Sequence, residues 1–219
     1  MTLSALIFDV DGTLAETEEA HRHAFLLAFG QSGLDWRWDP TVYRELLKVS
    51  GGRERILAYD PDAAPELVAG VHRRKTQIYT DMIASGRIAF RPGVEALINE
   101  AREAGVRLAI ASTTSRANVE ALLGRRRQWF EVIACGEDTV RKKPDPQVYQ
   151  LVAFRMGLPV EQCIAIEDST NGVKAAVGAG IPVVVTPSLY TTGDDFTGAA
   201  AIYPNLAEVK LNTLRALVP

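Results

Sequence analysis

From Gly93 onward, short apolar runs alternate with amphipathic segments, and this rhythm limits the possible folds more than any other feature of the chain. The runs are Val106–Ala111, Val132–Ala134, Cys163–Ile166 and Pro182–Thr186, and a fifth, Leu3–Phe8, opens the chain. Nearly continuous apolar runs of this length suit strands buried on both faces of a parallel sheet. Between them, Gly93–Ala104, Arg116–Gly124, Pro146–Met156 and Asn171–Gly178 read as helices. Ser115 is placed as an N-cap, and Asp145-Pro146 as an N-cap followed by an N1 proline. Gly105, Gly157 and Gly180 fall where helices should end. Alternation of this kind predicts an α/β fold with a doubly wound parallel sheet.

Residues 17–88 break the rhythm. They hold no convincing strand, but helical stretches around Glu18–Gly30, Pro40–Lys48 and Pro65–Ala84, with a loop at Asp60–Pro65. They read as a helical insertion after the first strand. The 219 residues suffice for one α/β domain with such an insertion. A net charge of -3 with intermixed signs gives no electrostatic basis for a nucleic-acid partner. No stretch approaches the roughly 20 apolar residues of a membrane helix, and no export signal is apparent. Cys135 and Cys163 lack zinc-ligand spacing and read as reduced core thiols of a cytoplasmic protein.

Ligands of open α/β sheets bind beyond the carboxyl ends of the strands. The residues at the end of each apolar run are therefore candidates for a site. After the first run comes Asp9-Val10-Asp11-Gly12-Thr13; two residues apart on extended chain, both carboxylates can face one site. After the second comes Ser112-Thr113-Thr114-Ser115, opening a helix. Lys143 precedes Pro144, and Glu167-Asp168 ends another run. The set is chemically coherent. Carboxylate oxygens suit magnesium, which lets an anionic carboxylate approach an anionic phosphoryl group. Asp9 can attack phosphorus to form an aspartyl-phosphate, and Asp11 can protonate the leaving alcohol and later activate water. Ser112, the Thr113 amide and the helix N-terminus can bind phosphoryl oxygens, and Lys143 can hold phosphate and nucleophile by point charge. Lys142 reads as surface charge, and Arg125-Arg126-Arg127 as solvated residues near a helix end.

These four motifs, in this order, resemble those of haloacid-dehalogenase-type phosphatases. The resemblance implies a Rossmann-like core, residues 1–16 and 89–219, with 17–88 as a helical cap. It makes Asp9 nucleophile and Mg2+ ligand, Asp11 acid/base and a ligand through its backbone carbonyl, and Asp168 the third protein ligand. Glu167 would stand behind these or act through water. Within that superfamily the chain resembles the CbbY-type sugar-bisphosphate phosphatases, through Asp9–Glu19 with His21-Arg22, Gly51-Gly52-Arg53-Glu54-Arg55, His72-Arg73-Arg74-Lys75, Arg91-Pro92-Gly93 and Ser112–Ser115. Carried over, Glu18 binds sugar hydroxyls, and the Gly51–Arg55 loop with His72 and Lys75 grips the distal end of the substrate. His21, Thr113, Thr114, Ser115 and Asn118 complete the expected substrate-binding set. The implied substrate is a small sugar phosphate, xylulose 1,5-bisphosphate above others, hydrolysed by a monomeric enzyme of the cytoplasm, or of the plastid stroma if the chain is a mature plastid protein. The alternatives are a β-phosphoglucomutase-like isomerase and a broad sugar-monophosphate phosphatase. A dehalogenase is disfavoured by the acid/base aspartate two residues after the nucleophile.

Overall fold

The computed structural model describes residues 2–84 and 88–218; residues 85–87, inside the expected insertion, lie outside the described residues. Six strands form one sheet: β1 (Ala5–Phe8), β2 (Arg107–Ala111), β3 (Val132–Ala134), β4 (Cys163–Glu167), β5 (Val183–Val185) and β6 (Ala201–Ile202). All pairings are parallel and the order is β3-β2-β1-β4-β5-β6. Residues of β1 show why the run is continuous rather than alternating. Leu6 and Phe8 enter the apolar cluster on one face, with Leu108 and Ile110; Ala5 and Ile7 enter the other, with Ala109 and Ala111. Every β1 side chain is fully buried, so both faces demand apolar residues.

The helices α5 (Val94–Glu103), α6 (Arg116–Leu123) and α9 (Leu211–Arg215) supply the first cluster, and α7 (Gln147–Met156) and α8 (Thr170–Gly178) the second. The strand order reverses between β1 and β4, placing Asp9 and Asp168 at the topological switch point. Ser115 caps α6 as expected, accepting from the Asn118 amide. The α7 start falls one residue later than the expected Asp145-Pro146 pair: the helix begins at Gln147, whose amide donates to Asp145 Oδ1 at 3.0 Å.

The insertion contains α1 (Glu18–Gln31), α2 (Pro40–Leu46), α3 (Gly52–Tyr59) and α4 (Pro65–Ala84). They close around their own apolar cluster, built on Phe25, Phe29, Trp38, Tyr43, Ile56 and Val71. Tyr190, from the loop after β5, is also part of it: its ring meets that of Tyr43 edge-on at 5.6 Å, and its hydroxyl donates to Glu19.

Three elements depart from the expectation. Helix α3 covers residues expected as a binding loop; Ile56 is its one buried side chain, so its amphipathic signal is faint. Strand β6 is two half-exposed residues and α9 a little over one turn. Both are too short to show a period.

Candidate active site

Asp9 continues the β1 ladder, its amide donating to Ile166 O at 3.0 Å. The chain then turns at Gly12 with φ 78°. A Cβ there would stand 2.2 Å from Asp168 Oδ2, so glycine permits both the turn and the close approach of Asp168. Asp9, Glu167 and Asp168 are buried, and each offers an oxygen within 4.8 Å of the others. Lys143 Nζ lies among them, 2.6 Å from Asp9 Oδ1, 2.6 Å from Glu167 Oε1 and 2.9 Å from Ala111 O, which uses all three of its donors. The Tyr149 hydroxyl donates to the same Glu167 oxygen at 2.6 Å.

Burial raises the Asp9 pKa, and the Glu167 and Asp11 charges add to it, while Lys143 opposes them. Burial together with Asp9 and Glu167 likewise raises Asp168. Burial alone would lower Lys143, but its two carboxylates push it upward. Three crowded carboxylates against one ammonium leave an excess of negative charge that a divalent cation fits, and an all-oxygen donor set suits a hard one.

Asp11 faces the insertion rather than Lys143. Its Oδ1 accepts from Thr17 Oγ1 at 2.6 Å and lies 2.9 Å from His21 Nε2. His21 Nδ1 is 2.5 Å from Lys75 Nζ, and the ring stacks on Tyr79 at 3.8 Å. Burial and the Lys75 charge pull the His21 pKa down, more than Asp11 raises it. The ring is then neutral at pH 7, and the network assigns its proton to Nε2, donating to Asp11, with Nδ1 accepting from Lys75. Burial would raise Asp11, but His21, the Thr17 hydroxyl and Lys75 together hold it below the usual carboxylate range. Burial brings Lys75 from 10.5 down to about 7.

Ser112 directly follows β2, its amide donating to Ala134 O at 3.0 Å. The Thr113 amide has no hydrogen-bond partner among the described residues. Asn118 Nδ2 donates to Thr114 Oγ1 at 2.9 Å, whereas its buried Oδ1 is unpartnered. The α6 N-terminus is less open than expected: Glu137 accepts from the Arg116 amide at 3.0 Å. Lys142 is not a solvated surface charge, for its ammonium reaches the Gly136 and Thr139 carbonyls. Of the three arginines at 125–127, Arg126 pairs with Glu95 and lies over Phe90, at the surface as expected.

In the insertion, Tyr43 donates to Glu18 Oε2 at 2.7 Å and accepts from Arg55 at 3.1 Å. Arg55 also donates to the Leu46 and Val49 carbonyls, so its fork is largely occupied. Arg53 is exposed, with no hydrogen-bond or ion-pair partner among the described residues. Burial and the Lys75 and Arg53 charges bring His72 down to about 4, leaving it neutral. Two glycines make the close packing at the start of α3 possible. A Cβ on Gly51, at φ 99°, would meet the Glu54 carboxylate at 2.1 Å, and one on Gly52 would meet the His72 ring at 2.8 Å.

A cavity of about 330 Å³ joins these groups. Asp9, Asp11, Ser112, Lys143, Asp168, Glu18, His21, Gly51, Gly52, Arg53, Glu54, Arg55, His72, Lys75, Thr113, Thr114, Ser115 and Asn118 line it. Glu167, fully buried, stands behind Asp9 and Lys143.

A family model described as haloacid dehalogenase-like hydrolase matches residues 3–180. The protein CbbY of Rhodobacter capsulatus is 49% identical over 218 residues, covering 94% of this chain and 95% of that protein. The chain belongs to the CbbY family of haloacid dehalogenase-like hydrolases. The crystal structure of CbbY from Rhodobacter sphaeroides in complex with phosphate superposes with a TM-score of 0.93 at 46% identity, covering 98% of this chain and 99% of that one. A mutant of the same protein, equally similar, was solved in complex with xylulose 1,5-bisphosphate. A β-phosphoglucomutase from Clostridium difficile shares the fold at TM-score 0.82 and 22% identity, covering 99% of this chain and 97% of that one.

Some residues around the site carry no sequence signal. Tyr43 and Tyr149 sit on ordinary amphipathic helices, and only the fold brings their hydroxyls to Glu18 and Glu167. Thr17 is legible as part of the run after the first motif but not as a partner of Asp11. Gly136 and Glu137, also in the cavity wall, lie where no motif points, and Lys142 stands beside the Lys143-Pro144 motif without a signal of its own.

Proposed function

We propose that this hydrolase is a magnesium-dependent phosphatase of small sugar bisphosphates, with xylulose 1,5-bisphosphate the favoured substrate. The observation that carries the reading is a single cavity with a buried carboxylate–lysine cluster at one end and the unpaired Arg53 beside neutral His72 at the other. Such a cavity offers one phosphate a nucleophile and the second a cation. The xylulose 1,5-bisphosphate complex of the 46% identical relative supports the same substrate class.

Asp9 and Asp168, with the Asp11 carbonyl and Glu167 behind, would hold Mg2+, which when bound offsets the charge between carboxylate and phosphoryl group. Lys143 fixes Asp9 through Oδ1. Asp9 Oδ2 then forms a bond to phosphorus as the phosphorus–oxygen bond to the sugar breaks. The departing oxygen takes a proton from Asp11. The chain Lys75–His21–Asp11 can supply it: Lys75 gives a proton to Nδ1 as Nε2 gives one to Asp11, leaving a neutral amine, the other imidazole tautomer and a carboxylic acid. In the second step the Asp11 carboxylate takes a proton from water, whose oxygen attacks phosphorus. The bond to Asp9 breaks and inorganic phosphate leaves.

The test is phosphate release, with and without Mg2+, from pentulose bisphosphates, hexose bisphosphates and hexose 1-phosphates. Stoichiometric, Mg2+-dependent release, fastest from xylulose 1,5-bisphosphate, is expected. Isomerised sugar phosphate without net release would overturn the assignment in favour of a mutase.

A further inference from the structure

Lys142 adjoins the site lysine in sequence, yet the fold gives it a setting of its own. It lines the cavity half-buried, and its ammonium donates to Gly136 O and, at 3.1 Å, to Thr139 O. Among the described residues it has no carboxylate partner. Lys143, by contrast, is matched by Asp9 and Glu167.

Gly136 links Lys142 to the hydroxyl loop. Its amide donates to Thr114 O at 2.7 Å, and a Cβ at this position would stand 2.5 Å from Thr113 O. The bend after β3 therefore lies directly on residues 113–114 and engages Thr114 through its carbonyl. The Thr113 amide, with no partner among the described residues, is a preformed donor for an anion.

We propose that Lys142 is a positioning residue of the phosphate site. It braces the Gly136–Thr139 bend, which the Gly136 amide hooks onto Thr114 O, and adds positive charge that no carboxylate cancels. Burial of part of its stem with the ammonium on two carbonyls keeps that charge in place without neutralising it. This inference rests on reading the cavity as a phosphate-ester site.

Inorganic phosphate, titrated at saturating Mg2+ into wild type, K142M, K142R and G136A, tests it, alongside phosphate-release kinetics. K142M is expected to raise the phosphate Kd roughly tenfold, as the bend loosens and the uncancelled charge is lost. KM for the sugar phosphate should rise in parallel while kcat and the Mg2+ affinity stay near wild type. K142R should restore most of the loss. G136A pushes a methyl group into Thr113 O with Lys142 intact and should weaken phosphate binding too; should K142M fold poorly, K142Q, which keeps a donor for the two carbonyls but no charge, replaces it and is expected to show the same loss. A folded K142M that binds phosphate within about twofold of wild type overturns the inference. If wild type binds phosphate but releases none from any sugar phosphate, the functional reading fails and the titration still decides the role of Lys142. If wild type binds no phosphate, both fall.

Discussion

Replacing Lys75 by methionine should make the protein more stable and less active. The Lys75 ammonium is buried, and its pKa falls from 10.5 to about 7. A folded state that binds its proton more weakly than the unfolded chain carries a penalty, full below pH 7 and relieved as pH rises toward 10.5. At about 1.4 kcal/mol per pH unit of displacement, the penalty near pH 7 is about 4–5 kcal/mol. Methionine keeps the unbranched length without the charge. It forfeits the bond to His21 Nδ1, about 1–3 kcal/mol if that nitrogen is left unsatisfied, and the cation contacts over Phe25 and Tyr79, about 1 kcal/mol. The net expectation is a gain of up to about 3 kcal/mol at pH 7. Denaturant unfolding of both proteins from pH 6 to 10 measures it. Wild type should gain on the variant by about 1.4 kcal/mol per pH unit between pH 8 and 10, a range above that in which the histidines beside Lys75 change charge. Turnover should fall, since Asp11 loses its proton source. Parallel stability profiles, or a variant that is less stable at pH 7, would refute a buried, proton-shedding Lys75.

Asp9→Asn should fold, because it removes one of three crowded carboxylates, and lose at least ~10³-fold in turnover; near-native phosphate release would remove Asp9 as nucleophile. Arg53→Ala should raise KM for bisphosphates by the about 1.5–3 kcal/mol of a lost charged contact and leave monophosphates unchanged; equal losses would show that Arg53 does not read the second phosphate. Gly172→Ala would place a Cβ 1.9 Å from Glu167 Oε2 and should cost about 1–3 kcal/mol on thermal unfolding, together with Mg2+ affinity. An unchanged melting temperature would mean that Glu167 has room to move.

The parts of this fold that are legible in the sequence are those whose burial leaves a local pattern. The Val132–Ala134 strand matches residue for residue, and the other long runs to within one or two. The Asp9-x-Asp11, Lys143 and Glu167-Asp168 groups stand out because each ends or adjoins an element with a clear apolar pattern. The hidden features depend on distant partners. Nothing near Tyr149 announces that its hydroxyl will meet Glu167, and Lys142 looks solvated until the bend at Gly136 folds beneath it. Helix α3 is obscured because Ile56 is its one buried side chain and leaves no period to read, while the resemblance points to its first residues as a binding loop.

Tyr190 belongs to the loop after β5 but fills space among Phe25, Trp38 and Tyr43. The same loop carries Thr191, whose hydroxyl reaches toward Asp168 at 3.4 Å. The two halves of the molecule therefore share an aromatic plug. A chimera that exchanged residues 17–88 with those of a relative would inherit a void or a clash wherever the incoming helices expect a different ring. The disturbance would pass directly to Thr191, and so to the carboxylate beside it. Grafts that carry residues 187–192 along with the helices should be the ones that assemble.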